Sequence, residues 1–188
     1  MKTHANISLD APGIVLFDPR TLAEYLRALG VETHEVFDHF LAHQDVGNEA
    51  IRQGVIFPLY PIPADDYSVF LEEAPSGPRA TRHFTYAGAP LHVTSGLLIA
   101  ADLNAVMHWE PEFFGAYLEH HQDRLMNNDS LDVAPGRYLA AISGFSGLEA
   151  PLHVLGYGLR LHPVERFAER LPTEDFDFSV TPAPHGAP

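Results

Sequence analysis

No apolar run in this chain is longer than about one strand. Leu97-Leu98-Ile99-Ala100-Ala101 is the longest, and Ile14-Val15-Leu16-Phe17, Val55-Ile56-Phe57 and Tyr138 to Ile142 are similar. Gly, Pro, Asp or Ser bounds each at one end or both, and these residues end strands and set turns. None of its runs approaches the roughly 20 residues that span a bilayer. The expected fold is α+β: a mainly antiparallel β-sandwich or half-open barrel with three to four flanking helices.

The helical segments are legible from caps and spacing. Asp18-Pro19 is a helix start, with Asp as cap and Pro at the first position, where its missing N–H costs nothing. Leu22, Tyr25, Leu26 and Leu29 then recur at helical spacing, and Gly30 suits a left-handed stop. The spacing predicts helices over Asp18–Leu29, Thr33–His43 and Asp102–Met126, with a short turn at Asn48–Gln53 closed by Gly54 and another stretch at Val164–Leu171. One domain should span residues 5–172. Residues 173–188 read as an acidic, Pro-rich, partly disordered tail. Within them, Glu174-Asp175-Phe176-Asp177-Phe178 alternates charge and ring, as an edge strand or a partner-folded tail would.

Two segments share a layout 84 residues apart. Ile7-Ser8-Leu9 leads through a turn to Val15-Leu16-Phe17-Asp18 and a helix; Leu91-His92-Val93 leads through a turn to Ile99-Ala100-Ala101-Asp102 and a helix. Each half then has a similar hairpin, Ile62 to Tyr67 and Val133 to Tyr138, with a Tyr anchoring the returning strand. Read as a duplication, this gives two half-sheets around one core, because either half alone is too small to bury an adequate core.

Charge narrows the function. Asp plus Glu is 25 against 11 Lys plus Arg, a formal charge of −14, so phosphate backbones and anionic lipids are repelled and a basic protein is favoured as partner. Zero cysteines exclude disulfides, thiolate metal sites and Cys nucleophiles. Met1-Lys2-Thr3-His4-Ala5-Asn6 carries one Lys and no apolar stretch, so no secretory signal is visible and a soluble cytoplasmic protein is expected.

Val93-Thr94-Ser95-Gly96-Leu97-Leu98-Ile99-Ala100-Ala101-Asp102, followed by Val133-Ala134-Pro135-Gly136-Arg137-Tyr138, resembles small acidic bacterial proteins. These are the immunity proteins of polymorphic toxin systems and the competence-associated nuclease inhibitor of bacilli. The resemblance covers Leu91 to Ile142 and echoes in the first half. It implies a non-enzymatic protein that binds and neutralises a basic toxin or effector domain, with no cofactor. It carries over no functional residue, since the matching positions are turns and caps. Acidic groups in aromatic company supply the candidate partner-binding set: Asp65, Asp66, Glu72, Glu73, Trp109, Glu110 and Glu112.

The alternative is a metal-binding protein or metal-dependent enzyme. Twelve histidines include His39 and His43 at helical i and i+4, with Glu35 one turn earlier, which could supply three zinc ligands. The zinc-protease motif needs Glu after the first His, and Phe40 stands there. Gly144-Phe145-Ser146-Gly147 departs from the serine-elbow pattern, and no phosphate-binding glycine loop is present. A third possibility is a structural subunit of a larger assembly.

Overall fold

The computed structural model describes residues 1–72, 79–120, 126–168 and 176–180. Their order is β1 (His4–Ser8), β2 (Ile14–Phe17), α1 (Pro19–Ala28), α2 (Val36–Ala42), α3 (Gln44–Arg52), β3 (Ile56–Leu59), β4 (Asp66–Leu71), β5 (Thr81–Val93), β6 (Leu97–Asp102), α4 (Asn104–Met107), α5 (Pro111–Gly115), α6 (Tyr117–His120), β7 (Asn128–Asp132), β8 (Gly136–Ser146) and β9 (Leu155–Val164). The strands form a five-stranded sheet, β1-β4-β9-β8-β5, and a four-stranded sheet, β3-β2-β6-β7. Every pairing is antiparallel except β4 with β9. The fold is α+β, and neither sheet closes into a barrel.

Alternation along the four-stranded sheet makes three layers. Ile14, Leu16, Phe57, Leu59, Leu98, Ala100 and Leu131 face the other sheet and pack on Ala5, Ile7, Tyr67, Val69, Leu91, Ile142 and Tyr157. Val15, Phe17, Ile56, Ile99 and Ala101 face the opposite way, onto a helical layer carrying Leu22, Leu26, Phe40, Trp109 and Phe114. Buried on both faces, β2 reads as a continuous apolar run rather than an alternating one.

The duplicated layout is real geometry. β2 and β6 pair at the centre of their sheet as Ile14↔Asp102, Val15↔Ala101, Leu16↔Ala100 and Phe17↔Ile99. A shift of 84 residues carries Leu16 onto Ala100, so a pseudo-twofold axis passes through that pair. The axis relates two crossed clamps. Asp18, fully buried, accepts from the Arg20 and Thr21 amides at the start of its own helix (2.9 Å each) and from the Thr94 and Ser95 amides of the β5–β6 turn (2.9 and 2.7 Å). Asp102 accepts from the Asn104 amide at 2.7 Å and from the Asp10 and Ala11 amides of the β1–β2 turn at 2.5 and 2.9 Å. Asp18 thus caps α1, Asp102 at the end of β6 accepts the first amide of α4, and each holds the other half's turn. The returning hairpins match too: Tyr67 Oη donates to the Pro63 carbonyl at 2.9 Å and Tyr138 Oη to the Ala134 carbonyl at 2.8 Å. β9 has no counterpart. It lies between β4 and β8 and joins the two halves of the larger sheet.

Several boundaries move. The single helix expected over Asp102–Met126 is three short ones, α4 to α6, because Asp102 belongs to β6 and Pro111 starts a new helix; residues 121–125 lie outside the described residues. Asn128, expected to end that helix, lies in β7. Leu91–Val93 is no separate strand from His83–Tyr86. β5 runs through Gly88-Ala89-Pro90 with bulges at Arg82/Phe84 and Ala87/Ala89, and it tolerates Pro90 because it is an edge strand. The helix expected at Val164–Leu171 is replaced by the end of β9 and bends, and its last residues are not among those described.

The domain does not stop at residue 172. Phe178 and Val180 are buried in the inter-sheet core at 6% and 3% exposure, with Phe176 packed beside them. α1 stops at Gly30, whose φ is +68°. α3 stops at Gly54, φ +69°, where a Cβ would lie 2.8–2.9 Å from the Leu91 and His92 backbone. That contact, with the His92 amide donating to the Gly54 carbonyl at 2.8 Å, ties α3 to β5.

Candidate functional site

The expected acidic and aromatic residues do not form one patch. Trp109 is only 3% exposed: its ring stacks on Phe114 at 5.0 Å and 4° and meets Phe17 edge-on at 5.7 Å. It is a core residue rather than a surface anchor. Glu110 and Glu112 are exposed above it, at the start of α5. Asp65, just before β4, and Asp66, its first residue, are exposed, and Asp66 accepts from Ser8 Oγ at 2.5 Å. Glu72 follows the far end of β4, about 20 Å from Asp66 at ~3.3 Å per residue. Its side chain is 8% exposed and is held by Arg82 and, at 3.2 Å, Arg160. Those partners are 10 and 88 residues away, so spacing could not announce them. Glu73 lies outside the described residues.

The metal triad does not assemble. The His39 and His43 rings sit 4.5 Å apart by their centroids, but His43 caps α2 outside helical geometry and its Nδ1 lies 3.1 Å from the His39 carbonyl. Glu35 is the residue before α2 and stands one turn before His39, whose amide donates to its carbonyl at 3.0 Å. No group of three or more His, Cys, Asp or Glu positioned to hold a metal occurs among the described residues.

Ser146 gains a neighbour that spacing did not reveal. The bulge at Arg82/Phe84 turns His83 so that its Nε2 lies 2.7 Å from Ser146 Oγ. Nucleophilic catalysis needs a third group that orients the base and donors for an oxyanion. His83 and Ser146 share a hydrogen bond across β5 and β8, and among the described residues no carboxylate is bonded to the other nitrogen of His83.

A well-formed concave feature is apolar. A cleft of about 360 Å³ lies where α2 and α3 meet the β3 edge and the segment 176–178. Phe37, Phe40, Leu41, Phe57, Tyr60 and Phe178 line it with eight others, none of them carboxylate, amine, imidazole or guanidinium. Leu41 and Tyr60 are 57% and 47% exposed, so the mouth is open to solvent. Exposed Asp38, Asp45 and Asp177 adjoin lining residues in the chain. Asp177 accepts from the Ser179 amide at 2.9 Å, which holds its carboxyl below the usual carboxylate range. The cleft was missed in sequence because its lining comes from segments more than a hundred residues apart. Its only local signal was the alternation of rings and charges at Phe176-Asp177-Phe178.

No helix of the described residues is long and apolar enough to cross a membrane. No family model matches the chain, and no curated protein matches it. A solved structure, called Crocagin biosynthetic gene J, is similar at a TM-score of 0.45 and 14% identity, over 85% of this chain and 96% of that one.

Proposed function

We propose that the protein acts by binding rather than by catalysis, as an inhibitor or immunity-type protein for a basic protein such as a toxin or effector domain. The observation that carries this reading is the open aromatic cleft without a charged lining group, set in a chain of net charge −14. A cleft of this volume falls in the range of sites that take ligands. The acidic surface attracts a cationic partner and orients it during encounter. An apolar side chain of the partner then fills the cleft, which supplies the short-range part of the affinity. Trp109, being core, has no part in the contact, and Glu72 is already engaged by two arginines.

The test is affinity purification of the full chain from its native cells beside Leu41→Asp, which alters an exposed wall of the cleft. A basic protein recovered with the wild type at near-equal stoichiometry, released at high salt and absent with Leu41→Asp supports the reading. Equal recovery by both chains, or recovery insensitive to salt, refutes it.

A further inference from the structure

The segment Phe176-Asp177-Phe178-Ser179-Val180 sits in the fold as a bound peptide would. Its apolar side chains at i, i+2 and i+4 point into the protein, while Asp177 is exposed. This is the alternation of an extended chain with one buried face. Yet the segment pairs with no strand. Among the described residues, Tyr157 Oη donates to the Phe178 carbonyl at 2.9 Å, and within the segment the Ser179 amide donates to Asp177.

Its side chains fill a trough of rings. Phe178 meets Phe57 at 6.2 Å, Phe84 at 6.1 Å and Tyr86 at 5.3 Å, and Phe176 meets Tyr86 at 5.0 Å. The Phe84 ring, nearest, and Val180 together occupy the space left by the missing side chain of Gly144, where a Cβ would stand 3.0 Å from Val180 Cγ2. Phe176 and Phe178 also form one wall of the apolar cleft, so trough and cleft are continuous.

We infer that this trough is a recognition groove for an extended partner segment with apolar residues at alternate positions and basic residues between them, and that residues 176–180 are its resident competitor. The inference rests on the reading of the cleft as a partner site and names what enters it. Charge argues for a basic competitor. Exposed Asp38 and Asp45 adjoin lining residues of the continuous cleft in a chain of net charge −14, so basic residues between the apolar ones would be attracted there.

The experiment uses the full chain and two synthetic peptides, Phe-Lys-Phe-Lys-Val and a scrambled control, with binding followed by calorimetry and amide exchange at Phe178 and Val180. Addition of the first peptide to the wild type is expected to speed exchange at both amides. Phe178→Ser, which weakens the resident segment, should bind it at least about tenfold more tightly, because the fraction of open groove sets the apparent affinity. Tyr157→Phe, which keeps the ring and removes one tie, should bind it a few-fold more tightly and serves if Phe178→Ser does not fold. Binding that leaves exchange at Phe178 and Val180 unchanged, or a folded variant that binds no better than wild type, overturns the inference. Equal binding of the scrambled peptide overturns it too. Strap displacement together with undiminished partner capture by Leu41→Asp would keep this groove and remove the cleft reading beside it.

Discussion

Asp18→Asn is the sharpest probe of what holds the two halves together. Oδ1 of Asp18 receives the two helix-start amides, and Oδ2 receives the Thr94 and Ser95 amides and Ser95 Oγ, the last two at 2.7 Å. Asn is as good a helix cap as Asp, so its oxygen can keep the first pair. Its NH2 must then face two N–H donors of the β5–β6 turn. Losing two charge-assisted bonds with the donors left facing another donor costs roughly 2–6 kcal/mol, at about 1–3 kcal/mol per unsatisfied group. Asp18→Ala adds loss of the cap, about 1 kcal/mol more. With a urea slope of about 2 kcal/mol per molar, the midpoint should fall by roughly 1–3 M for Asn and further for Ala. Urea unfolding followed by circular dichroism reads both. Asp102→Asn, the pseudo-symmetric change, should behave in the same way, because its Oδ2 holds the Asp10 and Ala11 amides. If Asp18→Asn lies within about 0.5 kcal/mol of wild type, the turn amides do not depend on the carboxylate and the crossed-clamp argument fails.

Gly54→Ala should destabilise by roughly 1–3 kcal/mol, since a Cβ there meets the β5 backbone at a positive φ; thermal unfolding against wild type measures it. Trp109→Ala should cost about 3–5 kcal/mol, a core-sized loss, and a near-neutral result in urea unfolding would return Trp109 to the surface. Burial pushes the Tyr67 hydroxyl up to about 12 from an ordinary 10. The fold favours its neutral form, so the stabilisation is complete below pH 10 and is lost as pH rises from 10 through 12. Tyr67→Phe should flatten that alkaline fall in denaturation midpoints, and an unchanged fall would show that Tyr67 does not contribute.

The sequence was most readable where structure is local. Asp18-Pro19, the β2 and β6 runs and the repeated Tyr hairpins could be placed because caps, apolar runs and turns act over a few residues. β7 was hidden because Asn128-Asp129-Ser130-Leu131-Asp132 has almost no strand character of its own; pairing with β6 gives it one. The 102–126 stretch carries helical spacing in pieces, but the breaks at Asp102 and Pro111 divide it. The acidic set illustrates the other limit. Spacing shows that Glu72 and Trp109 exist, but only packing shows that one is bound by distant arginines and the other lies under a helix.

The crossed carboxylates bear on how the chain is made. The Asp10 and Ala11 amides must wait for Asp102 to emerge from the ribosome, and Asp18 cannot close its second pair of bonds until Thr94 and Ser95 follow. The first half therefore leaves synthesis with its opening turn unfastened. An order of assembly follows in which neither copy of the repeated unit matures alone. A split between residues 72 and 79 should yield two fragments that are each disordered but restore one fold when mixed, each supplying the latch for the other.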